Sequence, residues 1–109
     1  MILISINAGI NGLIEFKEND RSIVVLDQNE SKKIVFYRDD CPDCQKIFRQ
    51  LYFHNTVHND TIFVNLNREE NRKYIDNYQI ESVPTILNQG SRYEGTNKQK
   101  IRKILNDSR

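Results

Sequence analysis

Apolar residues in this chain gather in short runs, and the interval between them switches along the sequence from strand-like to helix-like spacing. Lys33 to Arg38 is a β-branched and aromatic run with the character of a buried strand, and it stops at Asp39-Asp40-Cys41-Pro42. Pro42 suits the first turn of a helix. From Asp43 to about His54, Ile47, Phe48 and Leu51 recur at helical spacing with Lys46, Arg49 and Gln50 between them. The polar stretch Asn55 to Asp60 leads into a second β-rich run, Thr61 to Leu66. Asn67 followed by Glu69 and Glu70 then predicts a capped helix that runs to about Tyr78, with Tyr74, Ile75 and Tyr78 on one face. After Gln79 to Val83, Pro84 introduces Thr85-Ile86-Leu87 as a strand. A turn at Asn88-Gln89-Gly90 and a partner strand around Arg92-Tyr93 complete a predicted hairpin. Asn97 is placed to cap a last helix in which Ile101, Ile104 and Leu105 share a face while Lys98, Lys100, Arg102 and Lys103 stay in water.

The order β-α-β-α-β-β-α from residue 33 onward implies an α/β fold. A crossover helix builds a parallel strand pair, the hairpin extends it, and helices cover both faces of a mixed central sheet. Residues 1 to 32 carry a weaker signal. Ile2-Leu3-Ile4-Ser5-Ile6 and Ser22-Ile23-Val24-Val25-Leu26 both read as strands, with a short helix or irregular segment around Gly12 to Lys17. The simplest expectation for this part is an added edge strand and cover. Nothing repeats internally, so residues 1–109 are expected to form one domain, with 1–32 as an N-terminal addition to a 33–108 core.

Composition narrows the function classes. A chain of 109 residues has room for a single core. Sixteen Lys plus Arg against fifteen Asp plus Glu leave a net charge of +1, too little to steer the chain onto phosphate backbones or anionic lipid. No nucleic-acid or membrane partner is expected. No run approaches the roughly 18 apolar residues that span a bilayer, and Met1 to Ile14 lacks a basic region and a cleavage site, so the expected location is cytoplasmic. The basic end formed by Lys98, Lys100, Arg102, Lys103 and Arg109 is balanced by Asp107 and reads as a solvated helix face.

The candidate chemistry lies in the two cysteines, Cys41 and Cys44. A pair three residues apart closes too small a loop to staple a domain. At a strand-to-helix turn, however, Cys41 sits at a helix N-terminus, where free amides and the macrodipole favour thiolate, and Cys44 lies one turn further in. That spacing suits two-step thiol exchange, with Cys41 as attacking nucleophile and Cys44 as resolving thiol. Half a zinc site and two inert core thiols are the competing readings. Zinc needs further ligands, and the available histidines, His54 and His58, follow on the same helix and its exit rather than in a second knuckle. Asp39, Asp40 and Asp43 place up to three negative charges around Cys41, which opposes thiolate formation and predicts a reducing, modestly activated dithiol. They read equally as solvated turn residues, with Asp39 or Asp40 capping the helix.

The run Ile34-Val35-Phe36-Tyr37-Arg38-Asp39-Asp40-Cys41-Pro42-Asp43-Cys44 resembles the strand and active-site turn of the thioredoxin-like proteins. Tyr78 to Leu87 resembles the family's second signature, a helix exit followed by a hydrophobic residue and a cis-proline. Gly90, Gly95 and the closing helix fit as well, so the resemblance covers about residues 33 to 108. It implies a thioredoxin-like fold and reduction of protein disulfides without a bound cofactor, by a monomer that takes electrons from a thioredoxin-reductase-like donor. Carried over residue by residue, it makes Cys41 and Cys44 catalytic. Pro42, Asp43, Val83 and Pro84 become substrate-binding, Pro84 as the cis-proline beside the dithiol and Val83 as the backbone that pairs with an extended substrate. The alternative for Pro84 is a simple break between helix and strand.

The chain also departs from the family. Thioredoxins proper have Trp before the first cysteine and Gly-Pro between the two, whereas Asp40 and Pro42-Asp43 stand here and no Trp occurs anywhere. Val35 occupies the strand position of the family's buried Asp, a role that Asp43 or water would have to fill. Cys-Pro-x-Cys is also similar to the glutaredoxins, and Arg38 and Lys98 keep a glutathione-dependent reductase open, although Gly95-Thr96-Asn97 stands where those proteins usually carry a Gly-Gly-Asp-like segment. A non-catalytic binding module on the same fold is the third reading, favoured by residues 1 to 32 and by Val35.

Overall fold

In the computed structural model, residues 2–107 are described, with side chains from residue 9 onward. β1 (Lys33–Tyr37) lies inside a four-stranded sheet because both of its faces are apolar. Val35 and Tyr37 point to one side and Ile34 and Phe36 to the other, and all four are buried. β2 (Thr61–Asn65) runs parallel to β1, with Ile62 opposite Ile34 and Val64 opposite Phe36. On the other side, β3 (Thr85–Asn88) is antiparallel to β1 and pairs in turn with β4 (Ser91–Glu94), giving the order β2-β1-β3-β4.

Helices cover both faces, as the periodicity predicts. α1 (Ile2–Glu18), α2 (Pro42–His58) and α4 (Lys98–Asn106) enclose one core, where Ile14, Phe48, Leu51 and Ile101 meet Val35, Phe63 and Ile86. The second core gathers Ile34, Phe36, Val64 and Leu66 under Tyr74 of α3 (Lys73–Asn77), with Val24, Leu26 and Tyr78 packed against it. No described helix is long and apolar enough to cross a membrane.

Several expectations are corrected. Ile2 to Ile6 belongs to α1, not to a strand. Its β-branched run and its internal Gly9 and Gly12 are poor helix formers, but packing overrides local preference. Ile10 and Ile14, one turn apart, dock on the α2 side of the core, and Arg49 of α2 donates to Asn11 Oδ1 at 2.7 Å. Ser22 to Leu26 joins no strand ladder either. Its backbone is satisfied by side chains: Val24 N–H donates to Asn71 Oδ1 (2.9 Å), Leu26 N–H donates to the Tyr74 hydroxyl (2.9 Å), and that hydroxyl donates to Val24 O (2.7 Å). Val24 and Leu26 turn inward while Ile23 and Val25 stay exposed, so the segment alternates like a strand without being one.

The predicted helix from Asn67 is split into a 3-10 turn at Glu69–Asn71 and the short α3, and the Asn67 side chain caps neither. α2 runs one turn past His54 to His58 and ends at Asn59 in the left-handed conformation (φ 48°). The hairpin and the Asn97 cap form as predicted, with Asn97 Oδ1 accepting from Gln99 and Lys100 N–H at 3.0 Å. Gly95 has φ 140°, and a Cβ there would stand 2.6 Å from the Tyr93 hydroxyl, so this turn requires glycine. Arg109 of the basic end lies outside the described residues.

Candidate active site

β1 delivers the chain to the surface at Arg38, and the next turn starts α2. Cys41 N–H donates to Arg38 O at 3.3 Å, and Cys41 itself is the N-cap of α2 (φ −93°, ψ 117°), with Pro42 in the first turn. The Cys41 sulfur does the capping, accepting the Cys44 N–H at 3.2 Å. The cap is therefore neither Asp39 nor Asp40, as the sequence allowed, and an amide donor is aimed at the half-buried sulfur. Cys44 is only 1% exposed. Burial pushes its thiol up, and the Cys41 hydrogen bond and the charges at Cys41 and Asp43 push the same way, so Cys44 rests as a thiol.

The second signature arrives from the opposite direction. The Val83–Pro84 peptide bond is cis, Pro84 is buried, and Val83 O accepts from the Cys41 thiol at 3.8 Å. Thr85 Oγ1 donates to Ser82 O at 2.6 Å and fixes this loop to the start of β3. Beside Val83 lies a groove of about 340 Å³, walled by Leu66, Ile75 and Ile80 and edged by Arg38 and Glu81. Cys41, Cys44, Val83 and Pro84 thus meet at one place. Pro42 and Asp43 are exposed at the helix start, and the Asp43 carboxylate faces Lys46 at 3.7 Å. Val35 is fully buried in the core, so no carboxylate stands at that strand position.

The aspartates before Cys41 are not alike. Asp40 is exposed and accepts from the Asn67 amide at 2.9 Å. Asp39 is buried and held by two Arg21 bonds at 2.7 and 2.9 Å, by Asn65 at 2.8 Å and by Asn67 at 3.0 Å. These donors hold its carboxyl down at about 2, Arg21 first among them. Three unpaired negative charges around Cys41 is therefore an overcount, because Asp39 is paired with Arg21 and Asp43 faces Lys46. Glu18 of α1 lies close enough to feel Asp39, and burial, then the Asp39 and Glu15 charges, raise its carboxyl. Arg21, Asn65 and Glu18 carry no motif. Only the polar pair Asn65 and Asn67 at the end of an apolar strand marks them in the sequence.

The remaining candidates lie elsewhere. His54 and His58 stack at 4.3 Å near the far end of α2, with His54 Nε2 3.3 Å from Asp60 and Lys33 on the same carboxylate at 2.5 Å. Among the described residues no group of three or more His, Cys, Asp or Glu converges to hold a metal ion. Arg38 edges the Val83 groove, whereas Lys98 lines a different cavity with Gln50 and Arg102, so these two cations do not form one glutathione site.

A half-buried sulfur capping a helix, a buried second thiol one turn away and a cis-proline loop against the first have the arrangement of a dithiol site on an α/β sheet. Residues 14–107 match the thioredoxin family, and the chain belongs to it. The match begins well before residue 33 and takes in the end of α1 and the Ser22–Leu26 segment. No curated protein matches the chain.

Proposed function

We propose that the protein is a thiol–disulfide oxidoreductase that reduces disulfides of other proteins. The observation that carries this reading is the setting of the Cys41 sulfur, between the Cys44 amide at 3.2 Å and the Val83 carbonyl at 3.8 Å. A Cys41 thiolate attacks one sulfur of a substrate disulfide. The substrate S–S bond breaks, a mixed disulfide forms, and the departing thiolate takes a proton from water. Cys44 then loses its proton to water and attacks the Cys41 sulfur, releasing the second substrate thiol and leaving a Cys41–Cys44 disulfide. An external dithiol reductant restores both thiols, and no bound cofactor enters the scheme.

Burial of Cys44 supports the division of labour, since the hidden thiol reacts only once the mixed disulfide is at its side. The groove beside Val83 supports an extended substrate segment carrying an apolar side chain. A thioredoxin-reductase-like electron donor, a cytoplasmic setting and action as a monomer complete the proposal.

Insulin reduction driven by dithiothreitol tests it. Cys41→Ser is expected to abolish the activity, and Cys44→Ser to trap a mixed disulfide with substrate. A reversible two-electron couple at about −270 mV supports a reductant. Retention of full activity in Cys41→Ser overturns the reading.

A further inference from the structure

We propose that Arg21 is a positioning residue for the dithiol: it cancels and holds the Asp39 carboxylate, so that Cys41 reacts from a turn that is fixed in place and carries one negative charge fewer than its sequence suggests. The inference rests on the thiol-exchange reading above.

Three carboxylates flank Cys41, and the fold treats each differently. Asp43 faces Lys46, Asp40 lies in water, and Asp39 is withdrawn from it, with 7% of its side chain exposed. Water screens a buried charge poorly, so Asp39 needs a partner close by. The Asn65 and Asn67 amides bring hydrogen bonds but no charge. Arg21 is the one cation paired with Asp39 among the described residues, and its guanidinium reaches both carboxylate oxygens in a fork.

The same residue is gripped from the other side. Gln45 of α2 donates its amide to the Asp39 carbonyl at 2.9 Å. Asp39 is therefore tied to the N-terminal segment and the end of β2 through its carboxylate, and to α2 through its backbone. Cys41 follows two residues later in the same turn. Arg38 and Glu81 edge the Val83 groove, and Glu18, like Asp39 an acid, lies close enough to feel its charge, so Arg21 is the neutralising group among the described residues. Among the described residues, the N-terminal segment thus bonds the turn before Cys41 directly through Arg21, a side chain that no cysteine motif contains.

Alkylation of the reduced protein by iodoacetamide at pH 7 tests the proposal, because the reagent is uncharged and Cys44 is buried. Arg21→Gln leaves the Asp39 charge unmatched and is expected to slow alkylation of Cys41 about threefold. Arg21→Gln combined with Asp39→Asn is expected to regain most of the lost rate, and Arg21→Lys to keep most of it. A wild-type rate in Arg21→Gln overturns the proposal. A deficit that persists in the double variant also overturns it, since that pattern marks general structural damage. Insulin reduction by the parent is measured in parallel. An inactive parent refutes the thiol-exchange reading itself, whereas an active parent with an unaltered Arg21→Gln rate refutes only the role of Arg21.

Discussion

Replacing Tyr74 by Phe removes one oxygen atom and little else. The ring is 4% exposed and packs near Phe36 and Tyr78 at centroid distances of 6.4 and 6.1 Å, contacts that Phe retains, so no cavity forms. What is lost is the hydroxyl that donates to Val24 O at 2.7 Å and accepts Leu26 N–H at 2.9 Å. Each such bond contributes about 0.5–1.5 kcal/mol net, and a buried group left unpaired costs about 1–3 kcal/mol. Val24 and Leu26 are half-buried, so water repairs part of the loss, and the expected destabilisation is about 1–3 kcal/mol. Urea unfolding should show a lower midpoint with an unchanged slope. Hydrogen exchange sharpens the test: the Leu26 amide should lose protection, while the Val24 amide, held by Asn71 Oδ1, keeps more of its own. A Tyr74→Phe protein as stable as its parent, with Leu26 equally protected, refutes the idea that the phenol anchors this segment.

Two further outcomes are expected. Gly12 lies inside α1 and a Cβ there meets nothing within 4 Å, so Gly12→Ala should raise stability by about 0.5–1 kcal/mol in thermal unfolding, and a loss would count against a helix at this position. Asp39 is lowered from its ordinary 3.8 to about 2, which corresponds to about 2 kcal/mol of stability at neutral pH. Because the folded-state value is the lower one, that stability is present above pH 4 and disappears as the pH falls towards 2. The advantage of the parent over Asp39→Asn in urea midpoints should shrink across that window, and a constant difference from pH 7 to pH 2.5 would contradict the assigned pairing.

The core from β1 to α4 was legible because local pattern and tertiary role coincide there. β1 shows alternate residues to two cores, Pro42 falls where a helix begins, and Asn97 caps the helix that follows it. The N-terminal third was not, for opposite reasons in its two parts. α1 is helical against its own composition, carried by Ile10, Ile14 and the Asn11–Arg49 bond. Ser22–Leu26 has a strand's alternation, but its partners are side chains almost fifty residues away, Asn71 and Tyr74. The site divides in the same way. Both cysteines and the proline loop are visible as motifs, whereas Arg21 and Asn65 become part of it only when distant segments meet at Asp39. Asn67 shows how a plausible local reading is lost: a residue suited to capping the next helix spends its amide on Asp39 and Asp40 instead.

The Cys41 sulfur, the proposed nucleophile, is also the atom that caps α2. A thiolate accepts an amide hydrogen bond strongly and a disulfide sulfur weakly, so each round of the proposed exchange would weaken and restore this cap. α2 supplies Ile47, Phe48 and Leu51 to the core, and under the proposed exchange its first turn would be held less firmly in the disulfide form than in the dithiol form. Through this one bond the proposed chemistry would be coupled to the fold, the dithiol form being the better-capped one.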